Sequence, residues 1–157
     1  MIQEQEKMPI GQLQELKDGN MTTHNTPELF ANKKVVLFAV PGAFTPTCSA
    51  AHLPGYVVSA DELKAKGVDE IMCISVNDAF VMSAWGEAQN AENIRMLADG
   101  DGSYTKALGL EMETGHFGGI RSQRYAIVID NGIVTNLHLE KPKEFEVSKA
   151  EVILETL

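Results

Sequence analysis

Six apolar residues in a row, Val35-Val36-Leu37-Phe38-Ala39-Val40, constrain this chain more than any other feature. They are rich in β-branched and aromatic types, and no polar residue interrupts them. Such a run belongs to a strand covered on both faces. It delivers the chain directly into Pro41-Gly42-Ala43-Phe44-Thr45-Pro46-Thr47-Cys48, and the stretch from Pro46 to Lys66 reads as helical. A cysteine is therefore carried from the end of a buried strand to the first turn of a helix. Helix N-termini present unpaired N–H groups and partial positive charge, which favour a thiolate, the reactive form of cysteine.

The rest of the chain repeats the alternation. Pro54-Gly55 should kink the long helix in its middle, and Gly67 closes it. Glu70 to Val76 (EIMCISV) is a second apolar strand, and Asn77 or Asp78 caps a helix running to about Gln89. Arg95 to Ala98 reads as a short strand ended by Asp99-Gly100-Asp101-Gly102, with a helical turn from Ser103 to Leu108 and a Gly-containing loop from Met112 to Gly119. Tyr125 to Asp130 and Ile133 to Leu139 flank Asp130-Asn131-Gly132, a tight-hairpin signal. Ser148, with Glu151 three residues on, predicts a capping box for a last helix.

At the other end, Met1 to Met8 reads as a flexible lead. Gln12 to Glu28 reads as short surface strands turning at Asp18-Gly19-Asn20, with Thr26 capping a short helix that has Pro27 at its first position. Strand and helix alternate and a hairpin follows, which predicts an α/β protein: a central mixed sheet flanked by helices, parallel at its core with an antiparallel edge. That arrangement suits a thioredoxin-like fold. The chain's 157 residues are expected to form a single domain, 1–157.

Composition removes some function classes. A formal net charge of −9 argues against nucleic acid and against an anionic membrane surface, because both demand clustered Lys and Arg. No apolar run is long enough to cross a bilayer, and the polar N-terminus lacks the core of a signal peptide, so a cytoplasmic location is expected. Two cysteines, Cys48 and Cys73, are too few for a disulfide scaffold.

Spacing narrows the chemistry of Cys48. Ala51 stands where a C-x-x-C dithiol would have its second cysteine, and Pro54 stands where a C-x5-R phosphate loop would have its arginine. His52, His116 and His138 lie in no recognisable protease setting, and Cys48 with His52 supplies at most two of the four ligands of a zinc site. What remains is P-x-x-x-T-x-x-C behind a buried strand.

With this pattern the chain resembles the peroxiredoxins, and VPGAFTPTCSAAHLPGY resembles the type II subgroup, including members fused to a glutaredoxin. The similarity continues through SVNDAFVMSAW, LADGDGSYTKALGL and RSQRYAIVIDNGIV, and it covers nearly everything after about residue 8. The resemblance implies a thiol-dependent peroxidase acting on hydrogen peroxide and small organic hydroperoxides without metal, haem or flavin. By the same resemblance Cys48 is the attacking thiolate, oxidised to a sulfenic acid. Thr45 and Arg124 stabilise the reacting oxygens, and Pro41 shields the thiolate from water. Arg124 is preferred to Arg121 because it directly precedes the strand at Tyr125.

Two-cysteine members of the subgroup carry a late resolving cysteine, but here Val147 occupies that place. Cys73, between Met72 and Ile74, reads as a packed core thiol. An external thiol is therefore expected to regenerate Cys48, with glutathione and glutaredoxin as the source the resemblance favours. A thioredoxin-dependent cycle through Cys73 and a redox-sensing or binding protein without sustained turnover remain the alternatives. His52 is expected to contact an incoming thiol or a neighbouring subunit, or to serve as plain surface or packing, and Trp85 to be core. Phe44, Phe80 and Phe117 are expected to wall the pocket or a subunit interface, and a homodimer follows from the resemblance.

Overall fold

Side chains alternate across a strand, so an uninterrupted apolar run must serve two layers at once. The computed structural model, which describes residues 1–157, divides the strands in this way. In chain order the elements are β1 (Gln12–Lys17), β2 (Asn20–Asn25), α1 (Thr26–Phe30), β3 (Lys34–Ala39), α2 (Leu53–Ala65), β4 (Glu70–Ser75), α3 (Ala79–Ala88), β5 (Arg95–Ala98), α4 (Ser103–Leu108), β6 (Glu111–Glu113), β7 (Ile120–Ser122), β8 (Tyr125–Asp130), β9 (Ile133–Leu139) and α5 (Ala150–Thr156). Seven strands form one sheet in the order β2-β1-β5-β4-β3-β8-β9, and β6 pairs with β7 apart from it. β3, β4 and β5 run parallel, while β8 lies antiparallel to β3 and to β9.

Val36 and Phe38 of β3, Ile71 and Cys73 of β4, and Ala126 and Val128 of β8 face one layer. There they meet Leu53, Tyr56 and Leu63 of α2, Met82 and Trp85 of α3 and Ile153 of α5. The alternate residues, among them Val35, Leu37, Met72, Ile74, Tyr125 and Ile127, face the other layer with Leu29 and Phe30 of α1 and Leu108 of α4. Six consecutive residues, Val35 to Val40, show no exposed surface. The expected α/β mixed sheet with helices on both faces is thus the observed one.

Three local expectations are corrected. Met1 to Met8 is not a loose lead. It lies along the sheet edge, where Gln5 N donates to Val134 O at 2.7 Å and Met8 N to Gly132 O at 2.9 Å, and Ile2 and Met8 are buried. Thr26 is not a helix cap. Its hydroxyl accepts from Gly11 N and donates to Pro9 O, both at 2.9 Å, pinning the chain ahead of β1. Ser148 makes no capping box, because Lys149 holds the cap position of α5 and the Ser148 hydroxyl donates to Glu140 Oε2 at 2.6 Å. The helical run is disturbed where Pro54 was expected to kink it. Pro54 has no N–H to offer Ala50, and its ring crowds that carbonyl. The chain answers with a π-helical turn over Cys48–His52, in which Leu53 N–H donates to Cys48 O, five residues back. Such wide turns are frequent at functional sites. By contrast, Asp78 caps α3 as expected, accepting from Val81 N at 2.9 Å.

Candidate active site

β3 and β8 are paired with Ala39 opposite Tyr125, so the chain leaving β3 and the chain entering β8 emerge side by side at one end of the sheet. Residues 40–47 bridge from β3 to the π-helical turn, and Arg124 is the residue before β8. This register brings together two groups 76 positions apart: Arg124 Nη2 donates to Cys48 Sγ at 3.1 Å. Cys48 itself has no exposed surface. Burial alone would suit an inert core thiol, whereas a neighbouring guanidinium is the setting of a reactive one.

The other arm of the same guanidinium, Nη1, meets His52 Nδ1 at 2.8 Å. Arginine only donates, so Nδ1 accepts and the His52 proton must sit on Nε2. Nε2 in turn lies 3.2 Å from Ser148 O, a carbonyl that also accepts from Tyr56 OH at 2.7 Å. Burial and the charge of Arg124 lower the pKa of His52 from 6.5 to about 3, so the ring is neutral near pH 7. Of the alternatives expected for His52, packing is the observed one and the exposed surface position is corrected: the ring is 1% exposed and bonded to the arginine. The Phe145 ring lies beside both, 4.9 Å from the His52 ring and 5.6 Å from Arg124 Cζ.

Thr45 and Pro41 lie in the same loop but make no hydrogen bond to the sulfur. Thr45 Oγ1 donates to Gly42 O at 2.6 Å, which leaves its lone pairs as acceptors. Pro41 O accepts from Arg121 Nη1 at 3.0 Å. Arg121 thus braces the loop, its guanidinium over the Phe117 ring at 5.5 Å. A Cβ at Gly42 or Gly118 would run into its guanidinium, so either substitution would shift the arginine. Further ties come from Asn77, whose Oδ1 accepts from Ala43 N at 3.0 Å, and from Trp85, whose Nε1 donates to Ser49 Oγ at 2.9 Å. Trp85 is core, as expected. Phe44 sits at φ +61°, a costly value for an aromatic residue and one found chiefly at functional loops. Phe44, Phe80 and Phe117 are 58%, 66% and 80% exposed.

Cys73 belongs to the same apolar layer as Cys48 and is fully enclosed. Burial, and then the neighbouring Cys48, push its thiol well above the ordinary range, so it is a poor source of thiolate. Sequence reasoning missed Glu140 and Ser148. A glutamate in a charged loop and a serine before a helix carry no pattern that links them to a distant cysteine.

The buried neutral histidine has a pH consequence. Below pH 6.5 the unfolded chain binds a proton at this residue and the folded chain does not until about pH 3. Stability is therefore lost as pH falls through that window, by up to about 1.4 kcal/mol per unit. Glu140, which also faces His52, titrates below its usual range. Urea unfolding should show the stability gap between wild type and His52→Gln narrowing as pH falls from 6.5 to 4.5. Parallel stabilities across that range would mean that His52 takes up a proton freely in the folded protein.

The sequence pattern of the Redoxin family matches residues 3–154. Peroxiredoxin-2D of Arabidopsis thaliana is 50% identical over 143 residues, covering 90% of this chain and 88% of that protein. The hybrid peroxiredoxin hyPrx5 of Haemophilus influenzae is 46% identical over 137 residues, 84% of this chain and 56% of that longer protein. Reduced Prx3 from Vibrio vulnificus in complex with H₂O₂ superimposes with a TM-score of 0.98 at 67% identity, covering 99% of each chain. The chain therefore belongs to the peroxiredoxin family, as a type II member with the thioredoxin-like fold, and is a thiol-dependent peroxidase.

Proposed function

We propose that this peroxidase reduces hydrogen peroxide and small organic hydroperoxides at Cys48, and that an external thiol, glutathione working with glutaredoxin, restores the cysteine. One observation carries the reading: the Arg124 guanidinium stands 3.1 Å from the Cys48 sulfur. A cation at that distance favours the thiolate and the negative charge that develops on the departing oxygen. The thiolate sulfur donates an electron pair to the terminal peroxide oxygen. An S–O bond forms, the O–O bond breaks, and hydroxide or alkoxide leaves and takes up a proton. Sulfur is oxidised to the sulfenic acid and the peroxide is reduced to water or an alcohol. Thr45 Oγ1, its proton committed to Gly42 O, keeps lone pairs with which to accept from the peroxide O–H. Pro41, braced by Arg121, shields the sulfur from water.

The regeneration step follows from Cys73. A thiol that is enclosed and pushed up in pKa is a poor attacker of the sulfenic acid. Glutathione attacks instead, an S–S bond forms and water leaves. A second thiol then displaces Cys48 as the reduced thiol. The similarity to a relative crystallised with H₂O₂ supports the substrate class.

Cys48→Ser should abolish turnover, because a hydroxyl is a far weaker nucleophile at neutral pH. Protein oxidised with one equivalent of peroxide and then exposed to glutathione should gain one glutathione on Cys48 by intact mass and peptide mapping. A Cys48–Cys73 disulfide, with turnover lost in Cys73→Ser, would instead establish the thioredoxin-dependent two-cysteine cycle. Oxidation without sustained turnover in any thiol system would mark a sensor.

We also propose a homodimer. Phe44, Phe80 and Phe117 leave large apolar rings in water, and a two-fold contact between copies would cover such rings. Sedimentation at micromolar concentration should give twice the chain mass, and a monomer in both the reduced and oxidised states would refute this.

A further inference from the structure

Behind His52 stands a second group of buried polar residues that the proposed reaction does not use. Glu140, just past β9, is 5% exposed. Its backbone N–H donates to Arg124 O at 3.0 Å, so it is anchored to the arginine's own backbone. Its Oε2 accepts three hydrogen bonds, from Glu146 N at 2.8 Å, Ser148 N at 2.9 Å and Ser148 Oγ at 2.6 Å. These bonds fold residues 140–148 into a loop and aim the Ser148 carbonyl inward. That carbonyl receives His52 Nε2 and Tyr56 OH. His52 Nδ1 then receives Arg124 Nη1, and Arg124 Nη2 reaches Cys48. The chain of contacts is continuous from a carboxylate to the sulfur, and every side chain in it except Arg124 is buried.

We propose that Glu140 is a positioning residue for peroxide reduction: by fixing the Ser148 carbonyl it fixes the tautomer and tilt of His52, which holds the Arg124 guanidinium against Cys48. The proposal rests on the reading that Cys48 attacks peroxide with help from Arg124. A carboxylate suits this task because one oxygen gathers the donors of two residues, and a gathered loop is stiff. Its other oxygen, Oε1, makes no hydrogen bond in the protein, so Gln in its place keeps all three bonds through the amide oxygen. The role is therefore geometric, and the charge of Glu140 is not what reaches the sulfur.

The test is the single-turnover rate of the reduced protein with hydrogen peroxide, followed by stopped flow at one pH near neutral, which needs no reductant. Glu140→Ala should slow the reaction about tenfold, a typical size for coupling through a bonded network, and Glu140→Gln should restore most of the rate. Arg124→Ala should be slower still, and adding Glu140→Ala to it should change nothing further, because the group being positioned is gone. A merely structural role would add its full factor in both backgrounds. If Glu140→Ala does not fold, Glu140→Asp, which withdraws the carboxylate by one methylene, replaces it and should give the same pattern. A wild-type rate in folded Glu140→Ala or Glu140→Asp, or full additivity with Arg124→Ala, would overturn the proposal. The underlying reading would fail in a different way, by a wild-type rate in Arg124→Ala or by peroxide reactivity persisting in Cys48→Ser.

Discussion

Everything at this site turns on how the Arg124 guanidinium is held. A partly buried cation ordinarily acquires a carboxylate partner, and a carboxylate would spend the positive charge that a thiolate needs. None of the protein's ion pairs includes Arg124. Its steric partner is the neutral His52 ring, which accepts one N–H and leaves the full charge to the sulfur. The arrangement works only while the histidine stays unprotonated, and burial against Arg124 keeps it so, with a pKa of about 3. The electrostatics of the cysteine therefore depend on a ring that carries no charge.

The fold supplies this geometry through strand pairing. Cys48 and Arg124 are distant in sequence, but each lies a short step from the end of β3 or the start of β8, and the pairing of Ala39 with Tyr125 brings the two together. The π-helical turn sets the pitch at which Cys48 and His52 meet the same guanidinium. The turn exists because Pro54 withholds a backbone donor. A local feature of the chain, the lack of one N–H, thus shapes the chemistry a turn away.

Much of this was legible in the sequence. The run Val35 to Val40, the strand at EIMCISV and the Asp130-Asn131-Gly132 hairpin each carry a local physical signal, and each forms where expected. Cys48 and Arg124 were picked out by motif, and the structure brings them into contact. The failures share a cause. Thr26 and Ser148 have the right chemistry for helix caps, but distant backbone groups and Glu140 claim their hydroxyls. Met1 to Met8 looks polar and loose, yet a sheet edge offered its backbone partners. In each case a long-range bond outcompeted a short-range preference, and long-range bonds leave no periodic trace. The contact between His52 and Arg124 was hidden for the same reason, since nothing near His52 in sequence announces an arginine.

The central claim is that the shape of the Arg124 contact, a fork shared between Cys48 and His52, matters as well as its charge. Arg124→Lys separates the two, because an ammonium keeps the charge but cannot span both partners in one plane. The decisive measurement is the second-order rate constant of the reduced Arg124→Lys protein with hydrogen peroxide, beside wild type at the same pH. A rate about tenfold or more below wild type is the predicted result. A lysine variant that reacts as fast as wild type would contradict the account and reduce the role of Arg124 to that of a nearby positive charge.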